Sequence, residues 1–238
     1  MHVLVFQHTP GEPPEALSAA MAAAGDTSQT VHFFAGDPIP AFEAFDAMLV
    51  MGGPMDVWET QTHPWLIDEM TAIRSWVTQD EGPYLGICLG HQLLAQAMGG
   101  RCARMALPEI AVSDVTLTSD GQRDPLLRHL PPVFAAMHFH GVEVIDLPVD
   151  AVSLAATPMC RHQALRVGTR AWGLQFHPEL NHGTAQRWLS DPANRACALD
   201  WLGTPDTVED LTSQSEARVP EFLTRSAALY TAFRAQVN

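Results

Sequence analysis

The sequence predicts an α/β fold in which helices flank a central, mostly parallel sheet. Short apolar segments alternate with helical patterns over the first hundred residues, as they do where helices connect parallel strands. Beyond residue 100, turn residues interrupt the apolar segments about every eight to twelve positions, which is typical of mixed or antiparallel strands. A chain of 238 residues is most simply one domain. We therefore expect residues 1–238 to form a single domain, with the second half packed onto the first sheet.

Local patterns define the elements of the first half. Predicted strands lie at residues 2–7, 31–34, 47–51 and 84–88. The stretch 13–25 is Ala-rich, begins with prolines and ends with Gly25, which is the asymmetry of a helix. Apolar residues recur at spacings of three and four along 65–79, which predicts an amphipathic helix. A further helix is predicted directly after Cys88, where "LGHQLLAQAMGG" follows the strand "YLGIC".

The second half consists of shorter elements followed by a helical end. Predicted strands lie at residues 101–106, 112–118, 133–140, 152–157, 163–168 and 171–177. From Asn181 onward the chain is polar, and residues 181–238 are predicted to form a helical C-terminal extension. A stripe of residues at helical spacing indicates its packed face: Phe222, Ser226, Tyr230 and Phe233.

The charge balance disfavours two classes of partner. The chain has 13 Lys and Arg residues against 27 Asp and Glu residues, a net charge of −14, which repels phosphate backbones and anionic lipid. No apolar run reaches the roughly 18 to 20 residues of a membrane span, and the segment "MHVLVFQHTP" lacks the features of a signal peptide. The sequence therefore predicts a cytoplasmic protein that binds neither nucleic acid nor membrane.

One cysteine occupies a distinctive position. The four cysteines lack the spacing of disulfide pairs or metal sites, so free thiols are expected. Cys88 alone lies at a predicted strand-to-helix turn, between Gly86 and Gly90 in "GICLG". This is the pattern of a nucleophile elbow, G-x-S-x-G, with cysteine in place of serine, and its tight turn leaves no room for a Cβ at either glycine. The alternative interpretation is a small buried thiol beside glycines that pack a helix.

The surroundings of Cys88 favour nucleophilic chemistry. The following helix directs its free N–H groups and positive dipole end toward the sulfur, which favours thiolate, and the N–H of Leu89 is placed to stabilise an oxyanion. A thiol nucleophile needs a base, and the base needs an orienting group. The segment "WGLQFHPEL" supplies His177 and Glu179 two residues apart at a predicted strand end, with Pro178 between them. Cys88, His177 and Glu179 therefore form a candidate triad.

Three motifs together resemble the class I (triad) glutamine amidotransferases. They are "MGGP" at 51–54, "GICLGHQ" around Cys88 and "GLQFHPE" around His177. The chain is most similar to stand-alone members that resemble the amidotransferase domain of GMP synthase, over roughly residues 1–180. The resemblance implies a flavodoxin-like α/β fold and hydrolysis of the glutamine side-chain amide through a γ-glutamyl thioester. It also implies that Cys88 is the nucleophile, His177 the general base and then acid, and Glu179 the orienting carboxylate.

The resemblance extends to the groups around the triad. It implies an oxyanion hole formed by the N–H groups of Gly53 and Leu89. It also implies contacts to the substrate from Gln92 in "GHQ" and from the backbone around Gly141 in "HFHGVEV". The expected small-molecule partner is therefore glutamine or another γ-glutamyl compound.

The chain departs from the family pattern next to Gly141. Related sequences often read H-G-D here, whereas Val142 takes the place of the aspartate and Glu143 follows one position later. If that aspartate helps to hold the substrate's α-amino group, its loss removes a charged contact typically worth ~1.5 to 3 kcal/mol. We therefore expect the isolated chain to hydrolyse glutamine slowly, so that a partner subunit tightens the site or a larger γ-glutamyl compound is the substrate.

Neither a metal nor a cofactor is predicted. His138 and His140 have the spacing of metal ligands on one strand face, but the sequence identifies no third ligand that converges on them. It also contains no G-x-x-x-x-G-K-[ST] loop, no S-G-G-x-D-S pyrophosphatase loop and no G-x-G-x-x-G after a strand. The chain alone is therefore not expected to activate an acceptor with ATP.

Three functions stay open on these grounds. The first is a glutamine amidotransferase domain that releases ammonia, with or without a separate acceptor or synthetase subunit. The second is a hydrolase of other γ-glutamyl bonds, in peptides or conjugates. The third is a catalytically idle binding or regulatory protein with the same fold, and a covalent adduct on Cys88 would argue against it.

Overall fold

A single sheet organises the computed structural model, which describes residues 1–79 and 81–237. The strands in these ranges are β1 (His2–Gln7), β2 (Thr27–His32), β3 (Ala47–Val50), β4 (Tyr84–Ile87), β5 (Arg101–Leu117), β6 (Val133–Asp146), β7 (Ala151–Ala156), β8 (Ala164–Val167) and β9 (Ala171–Leu174). The α-helices are α1 (Glu15–Ala23), α2 (Trp65–Gln79), α3 (Leu89–Ala97), α4 (Thr184–Ser190), α5 (Pro192–Leu202) and α6 (Pro205–Arg234). The strand order across the sheet is β2-β1-β3-β4-β9-β8-β7-β5-β6.

The parallel part of the sheet comes mainly from the first half of the chain. β2, β1, β3, β4 and β9 pair in parallel in that order, which is a flavodoxin-like order. In such sheets, ligands bind at the carboxyl ends of the strands. The predicted α/β fold with a central parallel sheet is confirmed, and β1 and α2 have the predicted bounds.

The second half forms an antiparallel extension of this sheet. β9 pairs with β8, β8 with β7, β7 with β5, and β5 with β6, all of them antiparallel. The expectation of additional antiparallel strands is therefore confirmed. The expectation that they pack onto the first sheet is wrong, because β9 hydrogen-bonds to β4 and joins both halves edge to edge.

Two strands differ from the predicted bounds for physical reasons. β2 begins at Thr27 and ends before Phe33, which lies in a 3₁₀ turn. Because β2 is the edge strand, its polar and exposed residues give no apolar signal. β5 is continuous across the two segments predicted on either side of Pro108. Its pairing is irregular between Arg104 and Glu109, where a proline is tolerated because it interrupts no regular ladder.

Helices cover both faces of the parallel part. Val3 and Val5 of β1 belong to one apolar cluster, with residues of α1 and α6. Leu4 and Phe6 belong to another, with residues of α2 and α3. A strand buried on both faces reads as a continuous apolar run, which explains why β1 is evident in the sequence. All four residues of the stripe predicted on the C-terminal extension are buried.

Two expectations from composition can be compared with the fold. The cysteines are free thiols, as expected, and Cys197 is exposed whereas the other three are buried. No helix within the two described ranges combines the length and the apolar composition needed to cross a bilayer.

Candidate active site

Cys88 occupies a strained turn between β4 and α3. Its backbone angles are φ 50° and ψ −102°, and a non-glycine residue with positive φ is uncommon and costs energy. A Cβ added to Gly86 would lie 2.3 Å from the carbonyl oxygen of Gly90, and one added to Gly90 would lie 2.3 Å from that of Val50. Both glycines are therefore required by close backbone packing, which confirms the geometry predicted for the elbow.

Hydrogen bonds hold this turn against its neighbours. The Tyr84 hydroxyl donates to the Gly90 carbonyl at 2.8 Å, and the Gly90 N–H donates to the Met51 carbonyl at 3.2 Å. The Cys88 N–H donates to the carbonyl of Leu174 in the adjacent strand β9 at 2.8 Å. The thiol is thus carried by a rigid part of the sheet.

His177 lies just beyond the end of β9 and pairs with Glu179. Its Nδ1 lies 2.8 Å from Glu179 Oε1, and both side chains are buried. With the carboxylate as acceptor, Nδ1 carries the proton. The His177 N–H donates to the Met137 carbonyl at 3.0 Å, and the Trp188 ring packs edge-on against the imidazole with centroids 4.7 Å apart. These contacts fix the orientation of the ring.

The charges around His177 favour its protonated form. Burial works to lower the pKa of His177, but the Glu179 carboxylate and the nearby Cys88 outweigh it and raise that pKa well above 6.5. Nε2, the second ring nitrogen, makes no hydrogen bond of ordinary geometry in the described part of the chain. The imidazole can therefore hold a proton close to Cys88 and exchange it with a reacting group.

Most of the predicted site residues meet in one cavity of about 250 Å³. Five of them line it: Gly53, Cys88, Gln92, Gly141 and His177. The other two, Leu89 and Glu179, are buried directly behind this lining. The loops that carry Gly53, Cys88 and His177 follow the carboxyl ends of β3, β4 and β9, which is where an open α/β sheet places its ligands.

Gln92 takes part in a buried amide network that sequence reasoning did not identify. Gln92 Nε2 donates to the carbonyl of Val142 at 3.3 Å and to Gln175 Oε1 at 3.1 Å. Gln175 Nε2 in turn lies 3.6 Å from Cys88 Sγ. Gln175 was hard to single out because it lies between an apolar strand and the His177 motif.

The departure at Val142 is visible in the cavity wall. Val142 lines the cavity and is buried. Glu143, the next residue of β6, is not among the residues that line it, because successive strand residues point to opposite faces. Glu143 therefore does not replace the missing aspartate.

The C-terminal extension and the loop after β1 complete the cavity wall. They contribute Glu12, Trp188, Ala193, Asn194 and Cys197. The extension is thus part of the site and not a separate appendage. Sequence reasoning did not identify these residues, since each stands alone in a segment without a recognisable motif.

Glu12 brings a further carboxyl group next to the triad. A Cβ added to Gly52 would lie 2.3 Å from Glu12 Oε2 and 3.5 Å from His177 Cε1, so the Glu12 carboxyl occupies the space beside both residues. Burial raises the pKa of Glu12 from 4.5 to about 7, and the charge of Glu179 acts in the same direction, against His177 and His8. Glu12 therefore titrates near neutral pH.

Replacing Glu12 with glutamine is expected to stabilise the fold at pH 8 but not at pH 4.5. The pKa of Glu12 is higher in the folded state, at about 7, than its ordinary value of 4.5, so stability present below pH 4.5 is lost as the pH rises to 7. Glutamine removes this loss, which we expect to amount to about 1 to 3 kcal/mol. Denaturant unfolding at both pH values measures it. Glu43→Gln, at an exposed site, is the control, and an equal effect of Glu12→Gln at both pH values would contradict the prediction.

A buried cluster beside the cavity corrects one expectation about metals. The structure brings Glu109 to the predicted pair, with Glu109 Oε2 3.3 Å from His140 Nε2 and 4.0 Å from His138 Nδ1. The expectation that no third ligand converges is therefore wrong. Glu109 Oε2 also accepts hydrogen bonds from Gln163 Nε2 at 2.7 Å and Thr157 Oγ1 at 3.1 Å. These donors satisfy the carboxylate, so the cluster is explained as a hydrogen-bond network.

Comparison with protein families gives one match over most of the chain. The family model described as glutamine amidotransferase class-I matches residues 16–194. Among curated relatives, the GMP synthase [glutamine-hydrolyzing] of Tolumonas auensis is 30% identical over 183 residues, covering 73% of this chain and 33% of that protein. One separately encoded GMP synthase subunit, from Ignicoccus hospitalis, is 36% identical over 146 residues, covering 61% of this chain and 72% of that protein. The chain thus spans about a third of the first relative's length.

Two crystal structures share the fold over nearly the whole chain. A glutamine amidotransferase from Thermotoga maritima has a TM-score of 0.87 at 23% identity, covering 98% of this chain and 97% of that chain. A glutamine amido transferase from Methylobacillus flagellatus has a TM-score of 0.88 at 21% identity, covering 99% and 95%. At these identities the similarity establishes the fold, including the C-terminal helices.

Proposed function

Because the chain belongs to the class-I glutamine amidotransferase family, we propose that it hydrolyses the side-chain amide of glutamine through a thioester on Cys88. The observation that carries this proposal is the buried His177–Glu179 pair beside a cysteine held at a strained strand-to-helix turn. That arrangement supplies a nucleophile, a proton carrier and an orienting carboxylate in one cavity.

The proposed reaction uses His177 twice. His177 Nε2 takes the Cys88 proton as Sγ attacks the amide carbon, and the N–H groups of Gly53 and Leu89 stabilise the oxyanion of the tetrahedral intermediate. The same proton passes to the leaving nitrogen, and ammonia departs from a γ-glutamyl thioester. His177 then deprotonates a water molecule that attacks the thioester, and collapse of the second intermediate returns the proton to sulfur and releases glutamate. Glu179 keeps the imidazole oriented throughout.

The ammonia would be consumed elsewhere. We extend the proposal to a separate acceptor or synthetase subunit, because several relatives are named as one subunit of a GMP synthase and not as the whole enzyme. These relatives also account for the Gln92 and Gly141 assignments, which we propose as contacts to glutamine.

Hydrolysis of other γ-glutamyl bonds is the second candidate. Two observations favour it: α4 and α5 extend the cavity wall beyond the core motifs, with Trp188 and Asn194, and Val142 removes a possible charged contact to a small substrate. A larger γ-glutamyl compound would gain binding surface from these helices.

The release of glutamate from a substrate panel tests the proposal. The panel contains glutamine, γ-glutamyl amides and γ-glutamyl peptides, with Cys88→Ala protein as the blank. Turnover of glutamine above the blank supports the first candidate, and clear preference for γ-glutamyl peptides supports the second. No turnover of any member, together with no covalent adduct on Cys88, would instead favour an idle binding protein.

Replacing Val142 with aspartate is expected to raise kcat/KM for glutamine about 10-fold to 100-fold. The new carboxylate would restore a charged contact of the kind typically worth ~1.5 to 3 kcal/mol, and Glu143 does not line the cavity to supply it. Steady-state glutaminase assays measure the effect, at a temperature where circular dichroism shows folded protein. Val142→Asn, similar in shape but uncharged, should give no such gain. Equal rates for wild type and both variants would show that this contact does not limit the reaction.

A further inference from the structure

A buried histidine holds the peptide that precedes Gly53. His8 Nδ1 lies 2.8 Å from the carbonyl oxygen of Gly52, and His8 Nε2 lies 2.8 Å from Glu69 Oε1. The side chains of His8 and Glu69 are fully buried. Neither residue lines the cavity, so both act from behind the glycine loop.

The hydrogen bond to Gly52 determines where the Gly53 N–H points. The carbonyl of Gly52 and the N–H of Gly53 are the two ends of one planar trans peptide, so they point in opposite directions. When the carbonyl is held toward His8, the N–H is directed away from His8. Gly53 itself lines the cavity with Cys88, which places this N–H on the side where an oxyanion would form.

The loop needs such a restraint because of its composition. A peptide between two glycines can rotate with little steric cost. The glycines themselves are required, since a Cβ on Gly52 would lie 2.3 Å from Glu12 Oε2 and one on Gly53 would lie 2.9 Å from Leu89 Cδ2. Orientation must therefore come from a contact to the backbone and not from side chains on the loop.

Charge strengthens this contact. The Gly52 carbonyl and an ionised Glu69 are both acceptors, so His8 serves both only when each ring nitrogen carries a proton. Burial works to lower the pKa of His8, but the Glu69 charge and the hydrogen bonds to Glu69 and Gly52 together raise it. The rings of Phe33 and Trp65 stack parallel to His8 with centroids 5.8 and 5.6 Å away. The result is a charge-assisted hydrogen bond from a ring that cannot turn.

We propose that His8, oriented by Glu69, is a positioning residue that directs the Gly53 N–H toward the oxyanion of the tetrahedral intermediate. The proposal rests on the function proposed above. It predicts an effect confined to the transition state, because the oxyanion exists only there. Substrate binding and thiol reactivity should depend on His8 only weakly.

Two amide substitutions at one position separate the two hydrogen bonds of His8. In His8→Asn the amide nitrogen takes the place of Nδ1 and can still donate to Gly52. In His8→Gln it takes the place of Nε2 and can reach only Glu69. We expect His8→Gln to lower kcat about 10²-fold, the typical effect of losing one oxyanion donor, with KM changed less than about threefold. His8→Asn should retain most of the wild-type kcat.

Three further measurements distinguish positioning from a general loss of structure. Alkylation of Cys88 by iodoacetamide forms no oxyanion, so its rate should match wild type in both variants. Tyr230→Phe serves as the stability control, because Tyr230 donates to Asp26 Oδ2 at 2.7 Å from a buried site outside the cavity lining, and its kcat should be unchanged. Crystal structures of the two variants should show the Gly52–Gly53 peptide rotated in His8→Gln and retained in His8→Asn.

The outcomes keep this inference apart from the proposed function. Unchanged kcat and an unrotated peptide in His8→Gln would overturn the positioning role, even if the wild type hydrolyses glutamine. Equal losses in both variants that follow the loss of folded protein would also overturn it. A rotated peptide in His8→Gln, with a wild type that turns over no panel compound, would support the positioning role while the proposed function fails.

Discussion

Replacing Cys88 with alanine is expected to lower turnover by at least ~10⁴-fold, as loss of the nucleophile does in other triads. No other group on the cavity wall can take over, because thioester formation requires a thiolate aimed from the elbow. The fold should be retained, since the substitution removes one small sulfur atom from a residue at the cavity surface. Glutamate release measures the activity, and thermal unfolding checks the fold.

Cys197→Ser is the matched control for this prediction. Cys197 lines the same cavity from α5, but it does not lie at a strand-to-helix turn. Burial, together with the charge of Asp200, raises the pKa of Cys197, which leaves less thiolate. Its replacement should change turnover less than about threefold by the rate arithmetic of a loss below one kcal/mol. Activity that survives in Cys88→Ala but falls in Cys197→Ser would reverse the assignment of the nucleophile.

Replacing His177 with alanine is expected to reduce kcat by ~10⁴ to 10⁶-fold, the range for loss of the base in hydrolase triads. His177 moves the proton in both halves of the proposed reaction, so no step proceeds normally without it. Glu179→Gln should cost less, up to ~10⁴-fold, because an orienting group does not itself take the proton.

The order of these two losses is the test of the assigned roles. Single-turnover kinetics on glutamine, followed by mass spectrometry of the thioester, report acylation and its hydrolysis separately. Glu179→Asn would shorten the side chain and serve as a second probe of orientation. A larger loss for Glu179→Gln than for His177→Ala would show that the carboxylate, and not the imidazole, carries the essential proton.

Features with a local sequence signature were predictable. The elbow could be identified because its requirement is steric and short in range: the Cβ contacts that exclude other residues at Gly86 and Gly90 come from the turn itself and the adjacent strand β3. β1 and α2 were predictable because an apolar run and a helical repeat each reflect burial on known faces. His177 and Glu179 are close in the chain, so their pairing needed no tertiary information.

Features that depend on distant contacts could not be derived from the sequence. His8, Glu12 and Glu69 carry no local pattern, and their positions follow from the packing of three separate segments around Gly52. Glu109 reaches His140 only because β5 and β6 pair with Glu109 opposite that residue. The edge strand β2 has too little burial to leave a periodic signal.

The adjacency of β4 and β9 has a consequence for how this chain can vary in length. Gly86 lies opposite Gly173 in the parallel register, and the Cys88 N–H bonds to the Leu174 carbonyl. The separation of thiol and imidazole is therefore set by the spacing of neighbouring strands, about 4.8 Å, and not by the polypeptide that connects them. The connecting turns at 147–150 and 168–170 lie away from the cavity lining, so insertions or deletions there would leave both groups in place. Proteins of quite different length can in this way retain the same reacting geometry.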